Sequence, residues 1–312
     1  MATMKAIRIH QYGGPEVLRY EEAPRPEPAA GEVLVRVRAA GVNPVDWKIR
    51  QGYFKDFIKH NMPLILGWDV SGVVESTGTG VARWKRGDEV YGRADLARDG
   101  SYAEYIVVRE TEIARKPRSL DHEHAAAVPL AGLTAWQSLL DIAGLAPGRK
   151  VLIHAAAGGV GHLAVQLAKW RGAYVIGTAG ARNAAFVREL GADQVIDYNA
   201  GRFEDAVRDV DVVFDTIGGE VQQRSWKTLK PGGFLVSVVS PPPAEEAAKH
   251  RARGGLAFIQ SNASQLSDMA GLIDAGKLRP VIGTVMPLAD AKRAQDAVQG
   301  GHTRGKIVLS VP

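Results

Sequence analysis

Cysteine is absent from the 312 residues of the sequence. A disulfide framework and a zinc site built from thiolates are therefore both excluded. Long apolar runs are also missing, since no stretch approaches the ~18 consecutive apolar residues that a transmembrane helix needs. The first residues, MATMKAIRIHQYGGPEVL, carry no apolar segment of the kind found in a secretory signal peptide. We therefore expect a soluble protein of the cytoplasm.

An excess of charge of one sign is lacking too. The formal net charge is only +5, and no long block of like charges occurs. The densest basic stretch, KHRAR at 249–253, follows AEEAA, and a solvated helix with acid early and base late explains it better than a nucleic-acid site. The 46% hydrophobic and 23% charged residues are typical of a globular protein. We expect a small-molecule substrate, and neither nucleic acid nor a membrane as a partner.

The secondary-structure pattern changes near residue 120. Before it, short apolar or alternating runs separated by Gly, Pro and Asp predict a compact, barrel-like β domain. After it, strands alternate with helices, which favours a doubly wound parallel sheet of the α/β class. We expect the C-terminal segment to rejoin the first domain. The predicted strands of the second half are 151–155, 174–178, 194–197, 212–216, 234–239 and 256–259, and the helices between them are 160–171, 181–190, 220–229 and 244–253.

A glycine-rich turn joins the first of these strands to a helix. The stretch HAAAGGVG contains Ala156-x-Gly158-x-x-Gly161, which is the dinucleotide-binding fingerprint with its first glycine replaced by alanine. Gly158 leaves room for a pyrophosphate beside the backbone, and Gly161 lets the helix pack close to the strand. A purely structural turn is the alternative. The position at the first strand of an alternating half favours nucleotide binding.

The end of the second strand indicates which nicotinamide cofactor binds. An NAD site places Asp or Glu there, about 20 residues beyond the turn, to bind the ribose hydroxyls. Here the strand ends at Thr178, a candidate cofactor contact, and Arg182, Asn183 and Tyr198 follow. A cation, an amide and a phenol suit the 2′-phosphate of NADPH. The alternative is that Arg182 is a solvated residue at a helix start, where the helix dipole disfavours a cation. We therefore predict NADPH as the cofactor.

Several stretches together resemble a known family. They are AAGVNPVDWKIRQG, PLILGWDVSGVV, GSYAEYIVV, AAAVPLAGLTAWQSL, AAAGGVG, GADQVIDY, DVVFDTIGG and GHTRGKIVL. They look like the zinc-independent quinone oxidoreductases (zeta-crystallin-like) and enone reductases of the medium-chain dehydrogenase/reductase superfamily. The resemblance implies a GroES-like β-rich catalytic domain at 1–121 and 263–312 and a Rossmann NADP-binding domain at 122–262. It also implies a cofactor in the cleft between the domains, and a homodimer.

The resemblance implies roles for single residues as well. Asn43 and Trp68 stand where zinc-dependent relatives carry a cysteine and a histidine ligand, so no metal is expected and Asn43 lines the nicotinamide pocket. Lys48 replaces a tyrosine that contacts the cofactor in zeta-crystallin-like members, which brings it closer to the enone-reductase branch. The other cofactor contacts that the resemblance implies are Thr134, Ala157, Gly158, Gly159, Val160, Gly161, Gly180, Tyr198, Thr216, Ile217, Val238, Val239, Ser240, Phe258 and Ile259.

Without zinc as a Lewis acid, hydride addition to a simple ketone lacks its main charge stabiliser. A quinone or an α,β-unsaturated carbonyl needs less help, because the charge moves to a remote oxygen. We therefore expect an NADPH-dependent quinone or enone reductase with an aromatic pocket. A zinc-free reductase of other carbonyls, and an NADPH-binding structural or sensor protein without turnover, stay open as alternatives. The candidate pocket walls, each of which could instead belong to the core, are Trp47, Tyr53, Phe54, Trp68 and Phe258.

Two carboxylates lie next to these motifs. Asp46 and Asp69 could each act as a general acid or base, beside Asn43 and Lys48 as the other candidate catalytic groups. The alternative, which we favour, is that both carboxylates hold the active-site loops through backbone hydrogen bonds. His122 and His124 stand two apart on a predicted helix and therefore face different ways, which makes them poor joint metal ligands.

Overall fold

The computed structural model describes residues 2–301 and 303–312, and the chain divides into two compact units. The boundaries fall at 130/131 and 260/261, where the sequence led us to expect 121/122 and 262/263. The C-terminal segment belongs mainly to the first unit. The β-rich unit comprises the described residues up to Leu130, together with Ser261–Gly276 and Pro280–Pro312. The α/β unit comprises Ala131–Gln260 and Lys277–Arg279.

Strands and helices are numbered in chain order within the described residues. The strands are β1 (Thr3–Ile9), β2 (Arg19–Pro24), β3 (Glu32–Val42), β4 (Leu64–Ile65), β5 (Asp69–Thr77), β6 (Glu89–Arg93), β7 (Tyr105–Arg109), β8 (Ile113–Arg115), β9 (Lys150–Ile153), β10 (Tyr174–Ala179), β11 (Gln194–Asp197), β12 (Val210–Asp215), β13 (Leu229–Ser237), β14 (Arg253–Leu256), β15 (Ile282–Pro287) and β16 (Lys306–Ser310). The α-helices are α1 (Pro44–Arg50), α2 (His122–Ala126), α3 (Pro129–Trp136), α4 (Gly161–Trp170), α5 (Ala184–Glu189), α6 (Phe203–Ala206), α7 (Gly219–Ser225), α8 (Ala244–Lys249), α9 (Ala263–Asp274) and α10 (Ala291–Gln299).

The β-rich unit contains two sheets. The small one has the strand order β2-β1-β4, and the large one has β15-β16-β3-β5-β6-β8 with β7 also paired to β3. β3 has the sequence EVLVRVRAAGV, in which Val33, Val35 and Val37 are fully buried while Arg36 is exposed. This alternation is what a strand with one face on a core requires. C-terminal strand β16 pairs with the end of β3, so residues near 306 come to lie beside Val42.

The α/β unit contains one sheet of six parallel strands in the order β11-β10-β9-β12-β13-β14. The chain order reverses between β9 and β12, so the carboxyl ends of these two strands form the switch point at which open α/β sheets bind ligands. The apolar residues of β9 and most of those of β12 are fully buried, which fits a sheet covered on both faces by helices. The predicted GroES-like plus Rossmann-type α/β fold is confirmed.

The predicted position of the last parallel strand, 256–259, is wrong. β14 spans Arg253–Leu256, and the helix expected over 244–253 ends at Lys249. The two glycines here suggested a helix end, but they serve a close approach. A Cβ on Gly254 would lie 2.9 Å from Trp226 Cη2 and 2.8 Å from Pro242 Cβ. Phe258 and Ile259 therefore follow the strand instead of forming it.

Two predicted helices are less regular than expected, and a third helical segment changes type along its length. Those over 181–190 and 220–229 contain 3₁₀ turns at Ala181–Asn183 and Trp226–Thr228, and α3 continues as a π-helix over Gln137–Ile142. Asp121 is the N-cap of α2, since its carboxylate accepts the His124 N–H at 2.8 Å. None of the helices in the described part of the chain is both long and apolar enough to span a bilayer.

Candidate functional site

The glycine turn of the α/β unit has two glycines with different surroundings. A Cβ on Gly161 would lie 2.2 Å from the Ala155 carbonyl oxygen and 2.8 Å from Ala156 Cα, so this glycine is required for α4 to start against β9. A Cβ on Gly158 would meet only the Ala155 oxygen, at 3.2 Å. The rest of its surroundings is open, and that is the room that a pyrophosphate at a helix N-terminus needs.

Ala155 gives the turn its shape. Its φ is +47°, in the left-handed region that alanine seldom adopts. The strain is held by hydrogen bonds on both sides: the Ala155 N–H donates to Thr178 Oγ1 at 3.2 Å, and its carbonyl accepts the Gly158 N–H at 2.9 Å. Strained backbone kept in place by its neighbours is typical of ligand-binding turns.

Exposed apolar side chains follow four successive strands at the carboxyl edge of the parallel sheet. Tyr198, Ile217, Val239 and Phe258 are 55%, 49%, 40% and 76% exposed, and each lies one or two residues after the end of β11, β12, β13 or β14. β12, β13 and β14 are neighbours in the sheet, whereas β11 lies at its other edge, and large apolar groups left exposed at neighbouring strand ends are typical of ligand-binding surfaces. All four were assigned to the cofactor from the sequence.

Asp215, which the sequence analysis missed, organises part of this edge. It is fully buried at the end of β12. Its Oδ1 accepts the N–H groups of Ile217 and Gly218 at 3.0 and 2.8 Å, and its Oδ2 accepts Gln222 Nε2 at 2.9 Å and Ser237 Oγ at 2.8 Å. A carboxylate that closes an apolar run, as in VDVVFD, was the available signal.

The loops that follow β10 and β11 contain the residues predicted to bind the 2′-phosphate. A Cβ on Gly180 would lie 3.5 Å from Tyr198 Oη and 3.4 Å from Asn199 Nδ2, so the loops after β10 and β11 are adjacent. Arg182 is exposed in the 3₁₀ turn that follows Gly180 and has no ion pair among the described residues. Asn199 is a polar neighbour that the sequence analysis missed.

Thr178 plays a different part from the one expected. It is 3% exposed, and its hydroxyl bonds to the Ala155 N–H and the His154 ring, which supports the glycine turn from behind. Of the residues on α3, Thr134 is buried at 6% exposure. Val238 and Ser240 lie with Val239 in the loop after β13, and Thr216 Oγ1 donates to the His154 carbonyl at 3.0 Å.

The β-rich unit contains a buried polar cluster around the junction of β3 and α1. Asn43 is the N-cap of α1 and is 3% exposed. Its N–H donates to Asp46 Oδ2 at 2.8 Å, and its Nδ2 donates to Asp69 Oδ2 at 2.8 Å. Tyr102 Oη donates to Asp46 Oδ2 at 2.7 Å, and the Lys306 ammonium lies 3.6 Å from Asp69 Oδ2.

Both carboxylates make the backbone bonds that the sequence analysis gave as their alternative role. Asp46 accepts the Asn43 N–H, and Asp69 Oδ1 accepts the Leu130 N–H at 2.6 Å. Both are fully buried. Lys306 and Tyr102 were missed because each joins the cluster from a distant part of the chain; a lysine that opens the apolar strand KIVLS was the available signal.

Burial controls the protonation of this cluster. It raises the pKa of Asp46 to about 7, against the smaller opposing effect of its hydrogen bonds from Tyr102 and Asn43. Burial also raises the pKa of Asp69 and lowers that of Lys306, while the attraction between these two opposes both shifts. Two carboxylates share one ammonium, and the attraction of Lys306 opposes the rise in pKa more strongly at Asp69, which lies beside it.

The predicted pocket residues of the β-rich unit lie on and just after α1. The rings of Trp47 and Tyr53 meet edge-on with centroids 5.8 Å apart, Tyr53 is 62% exposed, and Phe54 is partly buried against the core. Trp68 is fully buried in the core, with its indole N–H donating to the Arg98 carbonyl at 3.0 Å, so it lines no open surface. Phe258 belongs to the α/β unit.

Lys48 differs from the other buried cations near the junction. It is partly buried, its nitrogen lies 5.7 Å from the centroid of the Trp47 ring, and desolvation lowers its pKa. Within the described residues its ammonium makes no hydrogen bond or ion pair, while its backbone carbonyl accepts the Tyr53 N–H at 3.0 Å. A half-buried ammonium without an anionic partner is available to stabilise negative charge on a bound molecule.

Within residues 2–301 and 303–312, no group of three or more His, Asp or Glu side chains is arranged to hold a metal ion. The histidines that drew attention in the sequence are used elsewhere: His122 Nδ1 bonds to Ser71 Oγ at 2.8 Å, and His124 Nδ1 bonds to Asp121 at 2.8 Å.

Comparisons with known proteins agree with this architecture. Residues 29–118 match the family described as alcohol dehydrogenase GroES-like domain, and residues 190–309 match the family described as zinc-binding dehydrogenase. The chain is 35% identical to NAD(P)H oxidoreductase RTN4IP1, mitochondrial, of Homo sapiens, over 99% of this chain and 89% of that protein. Among solved structures, it resembles the quinone oxidoreductase of Coxiella burnetii, with a TM-score of 0.93 and 39% identity over the whole of both chains. A structure named NAD-dependent alcohol dehydrogenase gives a TM-score of 0.91 and 33% identity, over 99% of this chain and all of that one.

Substitution of Gly158 tests whether the open turn holds a dinucleotide. Gly158→Val places a branched side chain where the pyrophosphate is expected, so the affinity for NADPH should fall at least ~10-fold, which is ~1.4 kcal/mol. Titration by NADPH fluorescence measures it. Gly271→Val is the matched control, since a Cβ on this exposed glycine of α9 meets no heavy atom within 4 Å and the affinity should stay unchanged. Unchanged NADPH affinity in the Gly158 variant would show that the turn is only structural.

The raised pKa of Asp46 predicts a pH dependence of stability. The folded state holds this proton up to about pH 7, whereas the unfolded chain releases it near its ordinary value of 3.8. The stabilisation is therefore complete below about pH 4 and is lost as the pH rises through about 7. Asp46→Asn keeps a neutral side chain of the same shape and should flatten this slope. Urea midpoints at about pH 5 and about pH 8 for the two proteins measure it; equal losses in both would assign the slope to another group.

Proposed function

Because the chain belongs to the quinone oxidoreductase group of the medium-chain dehydrogenase/reductase superfamily, and is thus a nicotinamide-dependent oxidoreductase, we propose that it transfers hydride from NADPH to a quinone or an α,β-unsaturated carbonyl without a metal. The observation that carries the proposal is the open space at Gly158 beside the carboxyl edge of the parallel sheet. We propose further that the protein acts as a cytoplasmic homodimer, as the resemblance implies.

The α/β unit fits a dinucleotide in this proposal. The open space at Gly158 would receive the pyrophosphate, and the N–H groups that start α4 would face it. Ile217, Val239 and Phe258 would cover the apolar face of the nicotinamide, and Asp215 holds the loop that carries Ile217. Bound there, the reduced nicotinamide supplies the hydride.

In this proposal the β-rich unit supplies the positive charge that stabilises the acceptor oxygen. Hydride addition to a quinone or enone leaves negative charge on the acceptor oxygen, and the unpaired Lys48 ammonium would stabilise it and then donate the proton that completes the reduction. Desolvation lowers the pKa of Lys48, which makes it a better proton donor near neutral pH. Asn43 and Trp68, at the positions of a cysteine and a histidine ligand in zinc-dependent relatives, support a reaction in which no metal acts.

The fully buried Asp46 and Asp69 have no surface from which to reach an acceptor, so we assign them to the support of α1 and of the segment at Leu130. The aromatic side chains of Trp47, Tyr53 and Phe54 next to Lys48 suit a flat, apolar acceptor. This combination of one cation and several aromatic rings favours a conjugated carbonyl over a simple alcohol or sugar.

An acceptor screen tests the function. With NADPH as donor, we expect turnover of 1,2-naphthoquinone or an alkenal, and activity that survives dialysis against a chelator. The loss of NADPH absorbance measures both. Tight NADPH binding with no turnover across quinones, enones and simple ketones would favour a sensor. Turnover that is lost on chelation and restored by zinc would refute the metal-free mechanism.

Cofactor preference tests the assignment of Arg182. Arg182→Ala should raise the KM for NADPH at least ~10-fold and leave NADH kinetics nearly unchanged, because a charge-assisted hydrogen bond to the 2′-phosphate is lost. Arg188→Ala is the matched control, since Arg188 is an exposed arginine on the same segment, in the last turn of α5. Both cofactors are compared with the same acceptor and salt concentration. Equal losses with NADPH and NADH, or a parent enzyme that prefers NADH, would contradict the assignment.

A further inference from the structure

Lys306 is a buried cation at the junction of β3 and α1. It opens β16, lies 263 positions after Asn43 in the chain, and is 3% exposed. Its ammonium donates to the Val42 carbonyl at 2.9 Å and to Asn43 Oδ1, and it lies 3.6 Å from Asp69 Oδ2. The nitrogen thus contacts the last residue of β3 and the N-cap of α1 together.

These contacts fix the orientation of the Asn43 amide. Its oxygen faces the Lys306 ammonium, and its Nδ2 donates to Asp69 Oδ2 at 2.8 Å. A flipped amide would place its NH₂ against the ammonium and its oxygen against the carboxylate, so both contacts would become repulsive. Asp69 is itself held by the Leu130 N–H. One orientation is therefore strongly preferred.

The fixed asparagine in turn fixes the start of α1. Its N–H donates to Asp46 Oδ2 in a capping box, and α1 carries Trp47 and Lys48 within its first turns. The Lys306 bond to the Val42 carbonyl fixes the backbone on the other side of Asn43. The C-terminal strand therefore holds the element on which the proposed charge stabiliser stands.

We propose that Lys306 is a positioning residue for hydride transfer, which fixes Asn43 and Val42 and thereby sets where the Lys48 ammonium lies. This rests on the proposed function in so far as Lys48 acts on the acceptor. A buried ammonium is expensive to desolvate, and its lowered pKa reflects that cost. The alternative is that Lys306 only neutralises Asp69, in which case any uncharged pair of the same shape would serve as well.

A double-mutant cycle distinguishes the two roles. Lys306→Met should lower kcat by about 10-fold or more, because small displacements of a catalytic group are costly. In a Lys48→Ala background the same change should lower kcat less than about twofold, since no ammonium is left to misplace. The Kd of Lys306→Met for NADPH should stay within about twofold of the parent value. Lys292→Met, the same change at an exposed lysine of the same unit, is the control and should show the same Kd. If Lys306→Met lowers kcat by the same factor in the parent protein and in Lys48→Ala, the proposal is wrong.

Hydrogen exchange gives an answer that does not depend on Lys48. In Lys306→Met, the peptide that covers Val42 to Arg50 should exchange faster, while a peptide from α4 should not change. Unchanged exchange at Val42–Arg50 would overturn the proposal whatever the kinetics. If Lys48→Ala alone leaves kcat unaltered, the proposed role of Lys48 fails, and the exchange result then decides whether Lys306 still fixes α1.

A second variant separates the loss of stability from the loss of positioning. Lys306→Met leaves the Asp69 carboxylate buried without its cation, so Lys306→Met/Asp69→Asn removes both charges. We expect this double variant to regain most of the thermal midpoint while kcat stays low, because an amide at position 69 can pair with either orientation of the Asn43 side chain and no longer selects one. Recovery of kcat together with the midpoint would show that Lys306 serves charge balance alone.

Discussion

In the β-rich unit, the junction of β3 and α1 depends on a cluster of ionisable groups that are buried away from water. Two carboxylates, Asp46 and Asp69, and one ammonium, Lys306, lie fully or almost fully buried within one cluster. Desolvation of each group costs several kcal/mol. Attraction between unlike charges offsets this cost most for Asp69 and Lys306 and less for Asp46, whose pKa is raised to about 7 by its burial. The hydrogen bonds of Asn43, Asp46 Oδ2, Asp69 and Lys306 to one another give the junction of β3 and α1 a defined geometry, although Asp46 Oδ1 is buried without a partner.

In the α/β unit, steric constraints fix the conformation of the glycine turn between β9 and α4. Gly161 is needed because backbone lies 2.2 Å from where its Cβ would be, whereas Gly158 has almost no protein neighbour there. The first glycine of the usual fingerprint is absent, and Ala155 takes the left-handed conformation at φ +47° instead. Thr178, the last residue but one of β10, stabilises that strained residue through its hydroxyl, which gives this buried threonine a structural role near the strand end.

How much could be predicted from the sequence depended on the range of the interactions. The alternation of strands and helices, β11, and both fingerprint glycines follow from local patterns, and the structure has them. The predicted position of β14 was wrong because Gly254 packs closely against Trp226 and Pro242, and local sequence patterns give no sign of these contacts. The roles of Lys306 and Tyr102 were beyond local patterns for the same reason: they reach Asn43 and Asp46 from 263 and 56 positions away. The π-helix after α3 has no recognised local signal in its residues.

The same physical effect, desolvation, has opposite consequences at the two lysines near α1. Lys306 is sealed among a carboxylate, a carbonyl and an amide oxygen, so its charge is used inside the protein and its lowered pKa is a cost. Lys48 is only half withdrawn from water and has a ring as its neighbour, so its charge is left for a bound molecule and its lowered pKa favours proton donation. A cation that is both positioned and unpaired can do for an acceptor oxygen part of what a metal ion does. In the proposed mechanism Lys306 fixes the helix and Lys48 acts from it, which suits an acceptor that needs only modest charge stabilisation.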